Sequence, residues 1–206
     1  MNPEFLALSL VILLFSVIVH EVMHGWVALQ FGDETAKRMG RLTLNPIPHI
    51  DPVGTILFPA LLMITGSPIL FGWAKPVPVN PLNFSDLRKG ELLVSAAGIL
   101  ANFGLAAIAA ILFHLLIIVP TTPLLVLELL RYTVTINLIL GVFNLFPIPP
   151  LDGSKVLMSQ LSYTLVKQYE KLEQYGFLLL LVLLFTGIPQ VILSAIVGIL
   201  SKILGF

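Results

Sequence analysis

Long uncharged stretches separated by short polar punctuation dominate this chain. Residues 52–74, 92–127, 132–151 and 174–201 carry no Asp, Glu, Lys or Arg, and 5–19 are equally bare. Each of the first four is near or above the ~20 residues needed to cross a hydrocarbon core. A first helix is expected over about 3–31, ending at Gly32-Asp33. Further helices are expected over about 88–119 and 124–144, joined by Pro120-Thr121-Thr122-Pro123. Phe146-Pro147-Ile148-Pro149-Pro150 must break the second of these, because proline lacks the N–H donor and clashes with the preceding turn. An amphipathic helix should follow over 152–165, then two apolar segments split at Thr186-Gly187-Ile188-Pro189. The alternation of Arg41-Leu42-Thr43-Leu44 predicts a short β-hairpin near 38–50. Gly54, Pro59, Gly66 and Pro68 interrupt the run at 53–71, as in a kinked span or a re-entrant segment. The expected fold is thus an all-α polytopic membrane protein of about five to six membrane-embedded helices.

Composition supports a bilayer-embedded chain. It has 206 residues, 57% hydrophobic and only 11% charged, against roughly 25% charged in soluble domains. Formal net charge is zero, so no basic surface points to nucleic acid. The chain lacks cysteine, which excludes disulfides and thiolate metal sites. Without a basic n-region, the N-terminal run reads as a retained helix rather than a signal peptide. Lys37, Arg38, Arg41, Lys75, Arg88, Lys89, Lys155, Lys167, Lys171 and Lys202 all fall outside the confident spans. If 53–71 is re-entrant, they share one side, as the positive-inside rule prefers for a cytoplasmic face.

Candidate chemistry sits inside the first helix, at His20-Glu21-Val22-Met23-His24. Two histidines at i and i+4 project from one helix face and can grip one metal ion. Glu21 is placed to serve as a general base. The alternative is a pair of packed histidines, but three polar side chains in five residues at membrane depth are expensive and call for a reason. A catalytic zinc site has three protein ligands. Glu128 lies near the opposite face with Arg131 at i+3, Asp33 and Glu34 are too close along the chain to fold back, and Asp51 and Asp86 fall in loops. Asp152 follows the proline break on the same side as His24. It suits a third ligand, and equally a helix N-cap.

His20-Glu21-x-x-His24 together with Asn144-Leu145-Phe146-Pro147-Ile148-Pro149-Pro150-Leu151-Asp152-Gly153 resembles the site-2 protease family of intramembrane zinc metalloproteases. That family pairs HExxH with a distant N-x-x-P-x-x-x-(L/M)-D-G segment. Ala97-Gly98-Ile99-Leu100-Ala101-Asn102 is similar to its A-G-P-x-x-N signature, with Ile99 in place of proline. Segments 40–54 and 72–81 look like those of small prokaryotic members without PDZ or CBS domains. The resemblance implies one Zn²⁺ per chain held by His20, His24 and Asp152, with Glu21 as base. It implies one membrane-embedded metalloprotease domain over 1–206, its catalytic core at about 3–155 and C-terminal helices over 156–206. It further implies an integral protein of a prokaryotic cell membrane, with the active site towards the cytoplasm. The partners it implies are the lipid bilayer and a single-span transmembrane substrate, hydrolysed within or near its membrane helix.

Asn144 is expected either to polarise the scissile carbonyl or to serve helix packing. An unwound substrate needs backbone partners in lipid, and 41–44 or the loop at 73–81 could pair with it by strand addition. His114 is expected to pack at an interface, His49 to be solvated in its loop, and Asn102 and Asn137 to bond between helices. Two rivals remain: a membrane zinc transporter, which would need ligands on a second helix and usually a His-rich loop, and a zinc-stabilised scaffold, which has no use for Glu21.

Overall fold

The computed structural model describes residues 3–65 and 72–206. Its elements in chain order are α1 (Pro3–Gln30), α2 (Thr35–Arg38), a 3₁₀ turn (Ile47–His49), a π-helical turn (Pro52–Leu57) running into α3 (Phe58–Ile64), a second 3₁₀ turn (Pro81–Asn83), α4 (Leu87–Leu116), α5 (Leu124–Asn144), α6 (Asp152–Met158), α7 (Tyr163–Glu173), α8 (Gly176–Thr186) and α9 (Ile188–Ile203). Three of these, α1, α4 and α5, are long and apolar enough to cross a membrane. The pair α8 and α9, bent by 76°, makes a fourth if read as one broken span. Among the described residues, then, three or four helices or helix pairs are long and apolar enough to cross, fewer than the five to six membrane-embedded helices expected.

α4 is the central helix. It packs along α5 and α1, and α9 closes on α5. Small side chains permit the approach: Ala106, Ala109 and Ala110 of α4 meet Val134 and Leu138 of α5 in a fully buried cluster. Outward faces of the same helices expose Leu8, Val11, Leu100, Ile108 and Ile111. That inversion of the soluble pattern suits contact with lipid.

The expected β-hairpin near 38–50 is absent; among the described residues there is no β-strand. Local side chains take the backbone donors a ladder would need. Thr43 Oγ1 accepts from Asn45 N–H, and Asn45 Oδ1 accepts from Ile47 N–H. Pro46 and Pro48 have no donor to give. The segment coils into bends and a 3₁₀ turn, and buries Arg41 and His49 instead of alternating.

The segment over 53–71 includes residues 66–71, which lie outside the described residues. Its two ends meet: Trp73 N–H donates to Gly54 O at 3.1 Å, and Thr55 Oγ1 donates to Trp73 O at 2.8 Å. The helix from Pro52 to Ile64 is roughly 20 Å long, short of a ~30 Å hydrocarbon core.

The ten basic residues do not all share one side. Leu204 O contacts His114 Nε2 at 2.8 Å and Phe206 packs on Phe113, so α9 ends beside the far end of α4. Lys202 therefore lies opposite the other nine basic residues, because α8 and α9 together carry the chain across. Arg131 is at that end too, its guanidinium over the Phe113 ring rather than beside Glu128.

Candidate metal centre

α1, α4 and α6 converge at one point. His20 and His24 project from the C-terminal half of α1, each at most 9% exposed. α4 closes that face at Gly98, where a Cβ would stand 2.5 Å from His24 Nε2 and 2.6 Å from His20 Cε1. Any side chain larger than hydrogen would fill the space the imidazoles use.

Asp152 arrives by the proline break. α5 stops at Asn144, turns carry 145–151 back, and Asp152 is the first residue of α6. Leu151 takes the N-cap position, and Asp152 makes no capping bond, so its N-cap role is excluded. Gly153 follows because α6 starts against the end of α5; a Cβ there would strike Leu145 O. Arg88 Nε donates to Ser159 O at 2.5 Å and fixes α6 to the base of α4.

The three candidate ligand atoms form a tight triangle. His20 Nε2 and His24 Nε2 are 3.0 Å apart, and Asp152 Oδ2 lies 3.1 Å and 3.2 Å from them. Both Nδ1 atoms face acceptors: Asn102 Oδ1 for His20 and Val94 O for His24, each at 2.7 Å. Each Nδ1 therefore carries a hydrogen, and the Nε2 lone pairs turn inward. Asp152 Oδ2 is buried and has no hydrogen-bond partner. Two protonated Nε2 atoms at 3.0 Å would repel, so a shared cation satisfies the triangle better than protons. Tetrahedral zinc with bonds of about 2.0–2.1 Å sets its ligand atoms roughly 3.3 Å apart, close to what is seen.

A cleft of about 530 Å³ opens onto the triangle, lined among others by Glu21, Val77, Val79, Asn144 and Glu91. Glu21 Oε2 accepts the Val77 N–H at 2.7 Å. The loop bearing Val77 is fastened along its length. Lys75 N–H donates to His49 O at 2.9 Å, and Arg41 Nη2 donates to Lys75 O and Pro76 O at 2.7 Å and 3.2 Å. Further on, Asp33 accepts from Asn80 N–H and Asn83 Nδ2. Burial would raise the Asp33 carboxyl, but donors from Thr35, Asn80 and Asn83 hold it below its ordinary range.

The structure thus brings His20, Glu21, His24 and Asp152 to one cleft. Asn144 also lines it, but its Nδ2 donates to Leu140 O at 3.0 Å, back along its own helix. Expected to be solvated, His49 is fully buried instead, with Nε2 2.9 Å from Thr43 O. Asn102 does bond between helices, yet one of its partners is His20 itself. Arg41 and Val77 were expected only within segments that could pair with substrate, and Asp33 only as a ligand too close along the chain; their hydrogen bonds around the cleft went unread, since nothing local shows which loop groups are buried.

The model of peptidase family M50 matches residues 119–187, which include Asp152. Over 88% of its length the chain is 39% identical to "Putative zinc metalloprotease YwhC" of Bacillus subtilis, covering 81% of that protein. The chain belongs to peptidase family M50. An M50 protein with these apolar helices is an integral membrane zinc metalloprotease of the site-2 protease type. Rip2 of Mycolicibacterium smegmatis, which carries the same designation as YwhC, is 30% identical over 84% of this chain and 64% of its own length. Zinc metalloprotease MJ0392 of Methanocaldococcus jannaschii is 28% identical over 91% of this M50 chain, which spans only 44% of that relative. No solved structure matches significantly.

Proposed function

We propose that His20, His24 and Asp152 hold a single Zn²⁺ and that this protease cuts a peptide bond within or beside the membrane helix of a single-span protein. The supporting observation is the triangle itself: three lone-pair atoms within 3.2 Å of one another, two from a membrane helix and one from α6, beside an acidic residue in an open cleft. When bound, zinc supplies the Lewis acidity that activates a water for attack on a carbonyl. Glu21 takes the proton of that water and passes it to the leaving amine nitrogen. With Oε2 held by Val77, Oε1 is the oxygen free for this transfer. Asn144, on the cleft wall, polarises the scissile carbonyl once its amide swings away from Leu140 O.

A membrane helix hides its carbonyls in its own hydrogen bonds, so the substrate must unwind before attack. The non-helical loop at 72–80 runs beside the cleft and offers backbone groups for strand addition. Pro76 and Pro78 lack N–H, so Val79 is the nearby donor once Val77 has bonded Glu21. Nine basic residues cluster at the site's end of the bundle, which supports a cytoplasmic active site in a prokaryotic cell membrane. α1 extends only about 9 Å beyond His24, a shallow placement that water can reach.

The test is reconstitution with a single-span substrate, comparing wild type with Glu21→Gln. Cleavage should disappear in the variant while zinc stays near one per chain. Equal cleavage by the two would refute the assignment of Glu21, and zinc flux across the vesicles in place of cleavage would favour a transporter.

A further inference from the structure

For His20 to bind a metal through Nε2, its proton must sit on Nδ1. A chain of amides inside the bundle decides that. Thr133 O is a backbone carbonyl and can only accept. Asn137 Nδ2 lies 2.9 Å from it and 2.9 Å from Ser16 Oγ. The amino end of Asn137 must face these groups, which turns its Oδ1 towards α4. Asn102 Nδ2 donates to that oxygen at 2.9 Å and to Ser16 O, another pure acceptor, at 3.4 Å. The remaining end of Asn102, Oδ1, then faces His20 Nδ1 at 2.7 Å. An oxygen there accepts, so the hydrogen lies on Nδ1 and the Nε2 lone pair points at Asp152 and His24. Were Asn102 reversed, its amino group would demand a lone pair on Nδ1 and move the hydrogen to Nε2. Asn102 and Asn137 are both 0% exposed, so no solvent replaces a broken link.

We propose that Asn137, anchored on Thr133 O and Ser16, is a positioning residue for zinc: it fixes the tautomer of His20 by fixing which way Asn102 faces. This rests on the reading of His20 as a zinc ligand. Polar residues between membrane helices also serve simply as interhelical glue, and the test must separate the two roles. A carboxylate at position 102 does so, because its two oxygens are equivalent and need no orienting.

Zinc affinity is measured by chelator competition on the purified full chain. The proteins compared are wild type, Asn137→Leu, Asn102→Asp, the double variant and His20→Ala. Loss of a partner behind a ligand typically costs 10–100-fold in metal affinity. Asn137→Leu should weaken zinc by about tenfold alone and by less than about twofold in the Asn102→Asp background. An equal loss in both backgrounds, or none in wild type, would overturn the relay. A second measurement needs no variant: ¹⁵N spectra of histidine-labelled, zinc-free wild type should show His20 with its hydrogen on Nδ1, and a hydrogen on Nε2 would also overturn it. Unchanged zinc affinity in His20→Ala would instead overturn the ligand reading underneath.

Discussion

Val77 donates its backbone N–H to Glu21 Oε2 at 2.7 Å. The bond ties the acidic residue of the α1 motif to a loop 56 positions further along the chain. It anchors one carboxylate oxygen of a residue that lines the cleft. A base held this way loses little freedom on meeting its water, which is what orientation contributes to rate. Holding the loop in the conformation that makes this bond costs backbone entropy, which further restraints offset.

Arg41 restrains it. Arg41 is 5% exposed, and its guanidinium bridges the carbonyls of Lys75 and Pro76, the two residues before Val77. Arg41→Ala should reduce kcat about tenfold or more, while bound zinc stays near one per chain. Arg41→Lys should recover only part, because an ammonium lacks the planar fork. Turnover and metal content measured on the same preparations check this.

Gly98 sets how closely α4 approaches the imidazoles. Gly98→Ala places a methyl 2.5–2.7 Å from atoms of His20 and His24. Zinc affinity should fall by at least about tenfold. Gly104, on the same helix, has nothing within 4 Å of a built Cβ. Gly104→Ala should leave zinc affinity unchanged and make the helix slightly more stable. Chelator competition on both variants makes the comparison.

Asp33 joins the end of α1 to the loop, and its carboxyl is held below the ordinary range. The contribution of such a group is fully present above the unfolded pKa, about 3.9, and is lost as pH falls through the folded value. Asp33→Ala should cost about 3 kcal/mol at pH 7, leaving Asn80 and Thr35 donors unpaired. The gap between variant and wild type should narrow below about pH 4. Denaturation of both proteins at pH 7 and pH 3.5 tests the sign; a gap that widens in acid contradicts it.

The long helices were legible because lipid imposes a simple rule. Uncharged runs located α1, α4 and α5 closely, with α5 matching at both ends. The pairing of His20 with His24 was legible through spacing, and Asp152 as their neighbour through the proline break together with the family resemblance. The Arg41–Leu44 stretch misled because alternation records only side-chain polarity. It cannot show that Thr43 and Asn45 take the backbone donors, or that Arg41 turns inward to carbonyls 34 positions away. Lys202 misled for a different reason. Charge counting treats two short apolar segments as a hairpin, whereas a 76° bend at Gly187, with φ +73°, still carries the chain across. The burial of Asp33, His49 and Asn137 depends on partners far along the chain, and no local pattern encodes it.

The most direct measurement is the position of the cut. A reconstituted single-span substrate is incubated with wild type and with Glu21→Gln, and the products are sequenced by mass spectrometry. The account predicts one principal cleavage inside the apolar segment or a few residues from its cytoplasmic end, absent with Glu21→Gln and after zinc removal. Cleavage confined to soluble loops, or persisting in Glu21→Gln, would contradict it.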